Sequence, residues 1–382
     1  MRILYSAIDQ IVPGSLGGSV HVQAVADGRA ALGHEVHVLT GRGEGGWPKS
    51  LARWHDVEPP GGHPQLRLLA SRRVARIAAA VEPHLVLERY HNFGGEGMLA
   101  ARRARARFVL EVNAPVIDYP GSPKARLDRL LLVRPMQRWR DRQVRAADLV
   151  VSPSRQILPA WLPAERVLEI EWGADTTRFR PQPSGSRWNT TGALTCVFAG
   201  AFRGWHGAIH LVTAIGALRS RGIGDVDAVF IGDGPERAAT QEAARGIAGI
   251  TFTGALPHDR MPGALSAADV GVAPFDVSRH PPLQLAFFWS PLKVFEYMAS
   301  GLPVVAPALP RLRQLVGDGI EGILYDPHHP GALADALAAL RDPDRRARLG
   351  AAARRRAERE YSWTAHCARL DQAFRALVRP NP

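Results

Sequence analysis

The chain has 382 residues, too many for one ordinary hydrophobic core and suited to two α/β domains of about 150–200 residues each. Its composition, with 46% hydrophobic and 22% charged residues, excludes a disordered chain, and it contains no apolar run of about 18 residues that would indicate a transmembrane helix. The net charge of +12 comes almost entirely from arginine, which pairs well with phosphate. Candidate partners are nucleic acid, an anionic membrane or a phosphorylated substrate, and solvated arginines on helix surfaces are the alternative.

The amino-terminal residues 1–5 predict a β-strand rather than a signal peptide. Only two cysteines occur, Cys196 and Cys367, and their separation indicates neither a disulfide framework nor a metal site. These features favour a cytoplasmic protein.

Short β-branched segments alternate with helical segments along the first half of the chain. This alternation predicts a parallel sheet with helices on both faces. The predicted strands are Arg2–Ser6, Glu35–Thr40, Leu85–Glu88, Arg107–Val112 and Leu149–Ser152, and the predicted helices include Val20–Leu32 and Gly94–Arg105.

The loop after the first strand contains glycines but lacks the Gly-x-Gly-x-x-Gly fingerprint, which disfavours a dinucleotide-dependent oxidoreductase. Gly17 and Gly18 precede the first helix and can bring backbone N–H groups close to an anion. A plain turn explains the same glycines equally well.

A Pro/Gly/Ser-rich stretch over 179–186 interrupts the pattern and predicts a domain linker. We therefore predict an α/β fold with two tandem Rossmann-like domains, the first over 1–180 together with the C-terminal helix 363–382, and the second over 181–362. Ligands of such sheets bind beyond the carboxyl ends of the strands, so the expected active site is the cleft between the domains. The later predicted strands are Thr195–Ala199, Ala228–Ile231, Ile250–Thr253, Val270–Ala273, Pro303–Ala306 and Gly322–Tyr325, and the later helices include Gly331–Leu340 and Arg345–Glu360.

The most informative stretch covers residues 289–305. Ser290, followed by proline, predicts the N-cap of a short helix that ends at Gly301. The helix N-terminus suits a phosphate, Lys293 adds a positive charge in the first turn, and the carboxylate of Glu296 can accept hydrogen bonds from both vicinal hydroxyls of a ribose. A surface ion pair between Lys293 and Glu296 is the alternative.

A second glycine-rich turn, over residues 198–207, follows a predicted strand and opens another helix. Arg203 and His206 lie in this turn, which is a suitable place for a pyrophosphate. A purely structural role for His206 is the alternative interpretation.

The motif Ser-Pro-x-Lys-x-x-Glu-Tyr-Met-Ala-x-Gly, from Ser290 to Gly301, resembles that of the retaining family 4 glycosyltransferases, which have the GT-B fold. The resemblance covers nearly the whole chain. It implies transfer of a sugar from a UDP or GDP sugar to an acceptor hydroxyl. Further matching segments are Gly17-Gly18-Ser19, Trp172-Gly173-Ala174-Asp175 ahead of Phe179, Ile231-Gly232-Asp233-Gly234-Pro235, Phe252-Thr253-Gly254 and Gly319-Ile320-Glu321-Gly322.

The resemblance also implies roles for individual residues. Arg203 and Lys293 would contact the donor diphosphate and are expected to be catalytic. Glu296 would bind the ribose, and Gly17 and Gly18 would approach the diphosphate from the first domain.

Other donor-side positions follow from the same resemblance. His206 stands where many members have a lysine, so its diphosphate contact would be weaker and pH-dependent. Leu256 and His258 would flank the base, and Ser290 would lie at the start of the donor-binding helix.

Two positions depart from the family pattern. Phe288 replaces the first of two glutamates that members often have, and Asp276 is a candidate substitute at the donor sugar. Asn113 occupies a position where members often have a catalytic-site histidine. It can hydrogen-bond a sugar hydroxyl but cannot act as an acid or base, and Glu111 and His91 are candidates nearby in the sequence.

The expected mechanism uses fixed cations and helix N-termini to stabilise the leaving diphosphate, with no cofactor and no metal ion, because no Asp-x-Asp pair suited to a divalent ion stands out. The alternatives are a GT-B-like nucleotide-sugar epimerase, which needs no acceptor, and a catalytically degenerate nucleotide-sugar-binding protein. The basic residues form no recognisable nucleic-acid-binding motif, so we expect no nucleic-acid partner.

The segment Lys124–Arg145 is rich in arginine, leucine and tryptophan, and Pro135 is expected to kink or split its helix. Such a segment can lie on an anionic membrane surface, which would suit a peripheral protein with a lipid-linked acceptor. The alternative is a solvated helix whose leucines pack on the sheet of the first domain.

Overall fold

The computed structural model describes residues 1–14, 16–119, 122–131, 134–182, 188 and 192–378. The chain divides into two compact units. Unit 1 comprises Met1–Trp172, Phe288–Ser290 and the C-terminal segment from Trp363, and unit 2 comprises Gly173–Phe287 and Pro291–Ser362. Of the predicted linker, residues 179–182 belong to unit 2, and residues 183–186 lie outside the described part of the chain.

Unit 1 contains a seven-stranded sheet whose neighbouring strands are all parallel within the described residues. Its strands are β1 (Arg2–Val12), β2 (Glu35–Arg42), β3 (Arg53–Asp56), β4 (Leu85–Arg89), β5 (Arg107–Glu111), β6 (Leu149–Ser152) and β7 (Val167–Glu169). They are arranged in the order β3-β2-β1-β4-β5-β6-β7. The helices are α1 (Gly17–Ala31), α2 (Ser71–Val81), α3 (Glu96–Ala104), α4 (Pro123–Leu131) and α5 (Pro135–Ala146), and the C-terminal helix Trp363–Val378 packs with them.

Unit 2 contains a six-stranded sheet, also parallel throughout. Its strands are β8 (Leu194–Ala199), β9 (Val226–Ile231), β10 (Ile250–Gly254), β11 (Val270–Val272), β12 (Val304–Pro307) and β13 (Gly322–Tyr325), in the order β10-β9-β8-β11-β12-β13. The helices are α6 (Ala208–Ser220), α7 (Arg237–Ala243), α8 (Met261–Ser266), α9 (Leu292–Ala299), α10 (Pro310–Leu315), α11 (Ala332–Ala339) and α12 (Pro343–Glu360).

Each unit has its own hydrophobic core, in which buried side chains of the strands pack against buried side chains of the helices. All six residues of β8 are buried, as expected for a central strand. The eleven strands predicted from the sequence are all present, and the first continues beyond its predicted end to Val12. The predicted α/β class with two Rossmann-like halves is therefore confirmed.

Two strands, β3 and β7, were not predicted. Both are edge strands, and neither contains a buried residue. Edge strands are covered less completely, so they lack the continuous apolar run that identifies a central strand.

The segment around Pro135 is split into α4 and α5, as predicted. Arg134 adopts a left-handed conformation with φ 47°, and Pro135 occupies the first turn of α5, where its missing N–H is tolerated. Leu132, which belongs to the predicted amphipathic segment, lies outside the described residues.

Cys196 in β8 and Cys367 in the C-terminal helix are free and buried. In the described residues, we find no helix that is both long enough and apolar enough to cross a bilayer.

Candidate functional site

Glycine loops follow the carboxyl ends of the central strands of unit 2. Gly200, after β8, has φ 137°, and Gly232, after β9, has φ 135°. A Cβ atom on Gly232 would overlap the carbonyl oxygen of Gly200, so only glycine allows the two loops to approach this closely. The result is an open backbone surface at the sheet edge where ligands of doubly wound folds bind.

The Lys293 ammonium lies directly beside this surface. A Cβ atom on Gly200 would be only 2.9 Å from Lys293 Nζ, which lies 4.3 Å from the centre of the Phe198 ring. Nζ is buried and has no hydrogen-bond partner in the described part of the chain. Burial lowers the pKa of Lys293 to about 7, although the negative charge of Glu296 opposes this shift.

Glu296 is one turn further along α9, but no ion pair joins it to Lys293 among the described residues. The carboxylate instead faces His258, with 3.9 Å between Glu296 Oε1 and His258 Nε2. The structure therefore does not support the alternative that Lys293 and Glu296 are a surface ion pair.

His258 belongs to the segment that is predicted to flank the base, and it lies beside Glu296, the residue predicted to bind the ribose. Its ring contacts the ring of Phe179 edge-on, with centroids 5.8 Å apart. Leu256, two residues before His258, is half-buried. The side chains expected at the ribose and the base thus lie on neighbouring elements of unit 2.

Arg203 and His206 lie between β8 and α6, as predicted. Arg203 is exposed, and its guanidinium lies over the Trp205 ring, 5.6 Å from the centroid. Burial lowers the pKa of His206 to about 3, and the positive charges of Lys293 and Arg203 lower it as well. The hydrogen bond to the Ala201 carbonyl opposes this shift. Lys293, Arg203 and His206 therefore form one electrostatic cluster.

The predicted pH-dependent diphosphate contact of His206 stays a prediction, and the structure shows the state of the ring in the free protein. His206 Nδ1 is hydrogen-bonded to the carbonyl oxygen of Ala201, which can only accept, so Nδ1 carries the proton. In the neutral ring, Nε2 is then an acceptor and cannot donate to a phosphate. The lowered pKa of His206 favours this neutral ring in the free protein.

Ser290 does not cap α9, contrary to the prediction. The helix begins at Leu292 after Pro291 and has no side-chain cap. The Ser290 hydroxyl is used elsewhere in unit 1, where it donates to Glu171 Oε2 at 2.6 Å and accepts from Trp172 N at 3.1 Å. The first N–H groups of α9 are consequently left without a side-chain acceptor.

The predicted helix end is correct. Gly301 follows α9 with φ 76°, the left-handed conformation that favours glycine after a helix.

In unit 1, Gly17 is the first residue of α1, and no side chain caps this helix. A Cβ atom on Gly18 would overlap Gln10 and lie 3.3 Å from Arg89 Nη2. The missing side chain of Gly18 therefore lets Gln10 and Arg89 come close to the N-terminus of α1. The sequence analysis did not single out Arg89, whose signal is a charged residue at the carboxyl end of an apolar strand.

Asn113 lies in a partly buried polar cluster of unit 1. Its Nδ2 donates to Glu111 Oε1 at 2.6 Å, and its Oδ1 accepts from Trp172 Nε1 at 3.2 Å. Because Trp172 also donates to Ser290, two predicted site residues meet at this tryptophan. The amide retains one N–H and one lone pair for a ligand.

Glu111, one of the two candidate bases near Asn113, is bound by several partners in unit 1. Burial alone would raise the pKa of Glu111, but the contacts with His21, Arg89 and Tyr5 hold it well below the ordinary value. The carboxylate is therefore committed to its partners. His91 accepts a hydrogen bond from the Phe93 N–H through Nδ1.

Asp276, the suggested substitute at the donor sugar, is used in a local turn. One carboxylate oxygen accepts from the backbone N–H and the hydroxyl of Ser278, and the other lies 3.4 Å from His210 Nε2. Phe288 is buried in unit 1. The role of Asp276 at the donor sugar therefore stays a prediction, and its carboxylate already has these local partners.

Solved structures share this architecture. Sucrose-phosphate synthase from Thermosynechococcus elongatus aligns over 98% of each chain with a TM-score of 0.73 and 20% identity. Anabaena Alr3699/HepE aligns over 98% of this chain and 100% of its own, with a TM-score of 0.70 and 19% identity. The fold is therefore that of the GT-B class.

The sequence comparisons specify the family. The model described as Glycosyl transferases group 1 matches residues 193–342, and the Glycosyltransferase Family 4 model matches residues 16–169. D-inositol 3-phosphate glycosyltransferase from Thermobispora bispora is 28% identical across 97% of this chain and 92% of its own length. The chain belongs to the family 4 glycosyltransferases, as its motifs predicted.

Proposed function

We propose that this family member transfers a sugar from a nucleoside diphosphate sugar to an acceptor hydroxyl, with retention of the anomeric configuration and without a metal ion. Unit 2 binds the donor, and unit 1 contributes the acceptor side together with Gly17 and Gly18. Lys293 and Arg203 stabilise the leaving diphosphate, and Glu296 binds the ribose.

The observation that carries this proposal is the buried ammonium of Lys293, which has no hydrogen-bond partner among the residues that the structure describes. Burying a charge without a partner is unfavourable, and an anion at this position would supply the missing hydrogen-bond acceptors. Gly200 leaves room for that anion, and the uncapped start of α9 adds backbone donors beside it. A diphosphate matches this arrangement because it offers several charged oxygens to lysine, arginine and N–H groups.

The nucleotide is proposed from Glu296 and His258. A carboxylate beside a half-buried imidazole suits a ribose diol next to a planar base. Structures of Anabaena Alr3699/HepE contain UDP or UDP-glucose, which makes UDP the first nucleotide to test here.

The reaction follows from the positions of the charges. The bond between the sugar C1 and the β-phosphate oxygen breaks while the acceptor oxygen bonds to C1 on the same face. The acceptor proton passes to the leaving diphosphate oxygen. Lys293 and Arg203 stabilise the negative charge that develops on this oxygen, which fixed cations do without reorganisation.

Metal independence is proposed because these cations already perform the task of a divalent ion. Two Asp-x-Asp sequences occur, at 225–227 and 342–344, and both make structural contacts. Asp225 pairs with Arg341, Asp227 pairs with Arg219, and Asp342 caps α12. We expect activity to persist in EDTA, and a strict requirement for a divalent ion would contradict this part of the proposal.

A nucleotide-sugar epimerase and a non-catalytic binding protein are the competing functions. Incubating the protein with a labelled UDP or GDP sugar and a panel of acceptors distinguishes the three. Acceptor-dependent release of the nucleoside diphosphate supports the transferase, and an isomerised sugar without acceptor identifies an epimerase. Donor binding with neither product identifies a binding protein.

Substitutions at the two cations test the site. Lys293→Ala and Arg203→Ala should each lower turnover at saturating donor by about two to three orders of magnitude, like the loss of an oxyanion donor. The exposed residues Lys49 and Arg348 provide matched controls, whose alanine variants should keep their activity. Normal turnover of either site variant would remove that residue from the mechanism.

A further inference from the structure

Three leucine side chains of α4 are exposed to solvent. Leu127 is 39% exposed, Leu130 is 80% exposed and Leu131 is 47% exposed. With about 3.6 residues per turn, these positions lie on one side of the helix. For Leu130 and Leu131, the alternative that the leucines of this segment pack on the sheet of unit 1 is therefore wrong.

The charges around these leucines are positive. Arg126 and Arg129 on α4, and Arg134 and Arg138 at the start of α5, are exposed. The acidic residues of the two helices do not balance them, because Asp128 is buried and Asp141 is only partly exposed. The described side chains thus form a cationic surface with an aliphatic centre.

Buried contacts fix α4 and α5 as a rigid pair. The Asp128 carboxylate accepts hydrogen bonds at 2.9 Å from the N–H groups of Met136 and Gln137, which caps α5. Arg140 is buried and pairs with Asp118 at 2.9 Å. Trp139 donates to the Gly94 carbonyl at 3.0 Å. Arg140 and Trp139 therefore anchor the pair and do not belong to the exposed surface, contrary to the sequence-based interpretation.

We propose that the α4 surface, formed by Arg126, Leu127, Arg129, Leu130, Leu131 and Arg134, docks on an anionic lipid membrane. The leucines enter the boundary between headgroups and acyl chains, and the arginines bind lipid phosphates. Each contribution alone is weak, but aliphatic burial and charge attraction act together at such an interface.

The chemistry of the surface favours lipid over the other polyanion that arginine binds. Single-stranded nucleic acid is held by aromatic side chains that stack on its bases. The apolar centre of the α4 surface is aliphatic and offers no stacking platform. A symmetric contact with a second copy of the chain is disfavoured as well, because it would place arginines against arginines.

Membrane docking also predicts the class of the acceptor. This second step rests on the proposed transferase function. An acceptor hydroxyl carried by a lipid would be concentrated at the surface that unit 1 contacts. We therefore assign the acceptor to the class of lipid-linked alcohols or glycans.

The test measures binding of the whole chain to sedimented vesicles made from a neutral phosphatidylcholine, alone or with an anionic phosphatidylglycerol. Binding should require the anionic lipid and weaken from low to moderate salt, as the charges are screened. This measurement does not depend on catalysis, so it can fail while the transferase proposal stands, and the reverse also holds.

Matched variants identify the surface. The triple change Leu127→Ser, Leu130→Ser and Leu131→Ser should weaken vesicle binding by at least about tenfold. Ile320→Ser, at a position 60% exposed in unit 2, is the apolar control. Arg126→Glu with Arg129→Glu should abolish binding, and Arg348→Glu with Arg355→Glu on α12 changes the net charge equally and should not.

Several results would overturn the proposal. The protein could bind neutral and anionic vesicles equally well, or it could fail to bind anionic vesicles at low salt. The α4 variants and the control variants could also lose the same amount of vesicle binding. A leucine-dependent dimer in sedimentation velocity would assign the surface to self-association. Leucine-independent binding of an oligonucleotide, without vesicle binding, would assign it to nucleic acid.

Discussion

At the residue scale, Lys293 links the ionisation of the free protein to ligand binding. Its ammonium is buried over an aromatic ring, where the neutral amine is favoured and the pKa falls to about 7. A bound diphosphate favours the charged form and should return the pKa towards its ordinary value. Nucleotide binding is therefore coupled to proton uptake at pH values above about 7.

This coupling predicts that the affinity for UDP falls as the pH rises from 7 to 9, because the ammonium must be formed at the expense of the amine. The diphosphate of the nucleotide loses its last proton at about pH 6, so its charge changes little above pH 7. Calorimetry in two buffers with different ionisation enthalpies should show uptake of up to one proton. In Lys293→Met, both the uptake and the pH dependence should disappear, and their persistence would locate the titrating group elsewhere.

Glu296 is predicted to recognise the ribose of the nucleotide. Glu296→Gln removes a charged acceptor and should weaken UDP binding by about 1.5–3 kcal/mol, while the thermal unfolding of the free protein stays unchanged. Glu242→Gln, at a surface position paired only with Arg245 among the described residues, is the control.

A UDP analogue that lacks the ribose 2′-hydroxyl tests the same assignment from the side of the ligand. If Glu296 binds the diol, the variant and the missing 2′-hydroxyl should have non-additive effects on binding, because both remove the same interaction. Additive losses would contradict the ribose assignment.

At the scale of elements, the position of α9 depends on an arginine of α12. Arg354 Nη1 donates to the carbonyl oxygens of Phe179 at 2.7 Å and Ala299 at 2.5 Å, and Nη2 donates to that of Thr176 at 3.0 Å. Ala299 is the last residue of α9, whose final carbonyls have no partner within the helix. Arg354 thus joins the end of the donor helix to the segment that contains Phe179.

Arg354→Met should destabilise the chain by about 2–4 kcal/mol, because it leaves three carbonyls without this donor. It should also raise the KM for the donor more than it lowers kcat, since Arg354 positions α9 and does not contact the reacting atoms. Arg354→Lys should recover part of both losses, and Arg355→Met, at an exposed position of the same helix, should cause neither. An unchanged KM in Arg354→Met would show that the arginine serves stability alone.

At the scale of the whole molecule, the two units have separate cores, so a donor held by unit 2 should protect that unit selectively. Hydrogen exchange with and without UDP should show slower exchange in residues 200–207, 254–258 and 292–299. Protection confined to unit 1 would contradict the assignment of the donor side.

The sequence predicted the central strands, since buried parallel strands are continuous apolar runs, as in β8. It did not predict β3 and β7, because edge strands have no such run. In the candidate site, Lys293, Arg203 and Glu296 could be identified from local motifs next to glycines and helix starts. The partners of Ser290 and Asp276 could not be predicted in this way, because Glu171 is 119 residues from Ser290, and His210, which faces Asp276, lies on a different element, α6. The state of His206 likewise depends on burial, which no local pattern reports.

The two buried thiols make the intact chain convenient for site-specific labelling. Burial raises the pKa of Cys367 to about 12 and the pKa of Cys196 further, so neither forms the reactive thiolate at neutral pH. A single cysteine introduced at position 130 would therefore be the preferred target of a maleimide dye, with both native cysteines left in place. A polarity-sensitive fluorophore attached there would shift its emission to shorter wavelengths on contact with hydrocarbon and so report lipid insertion in real time.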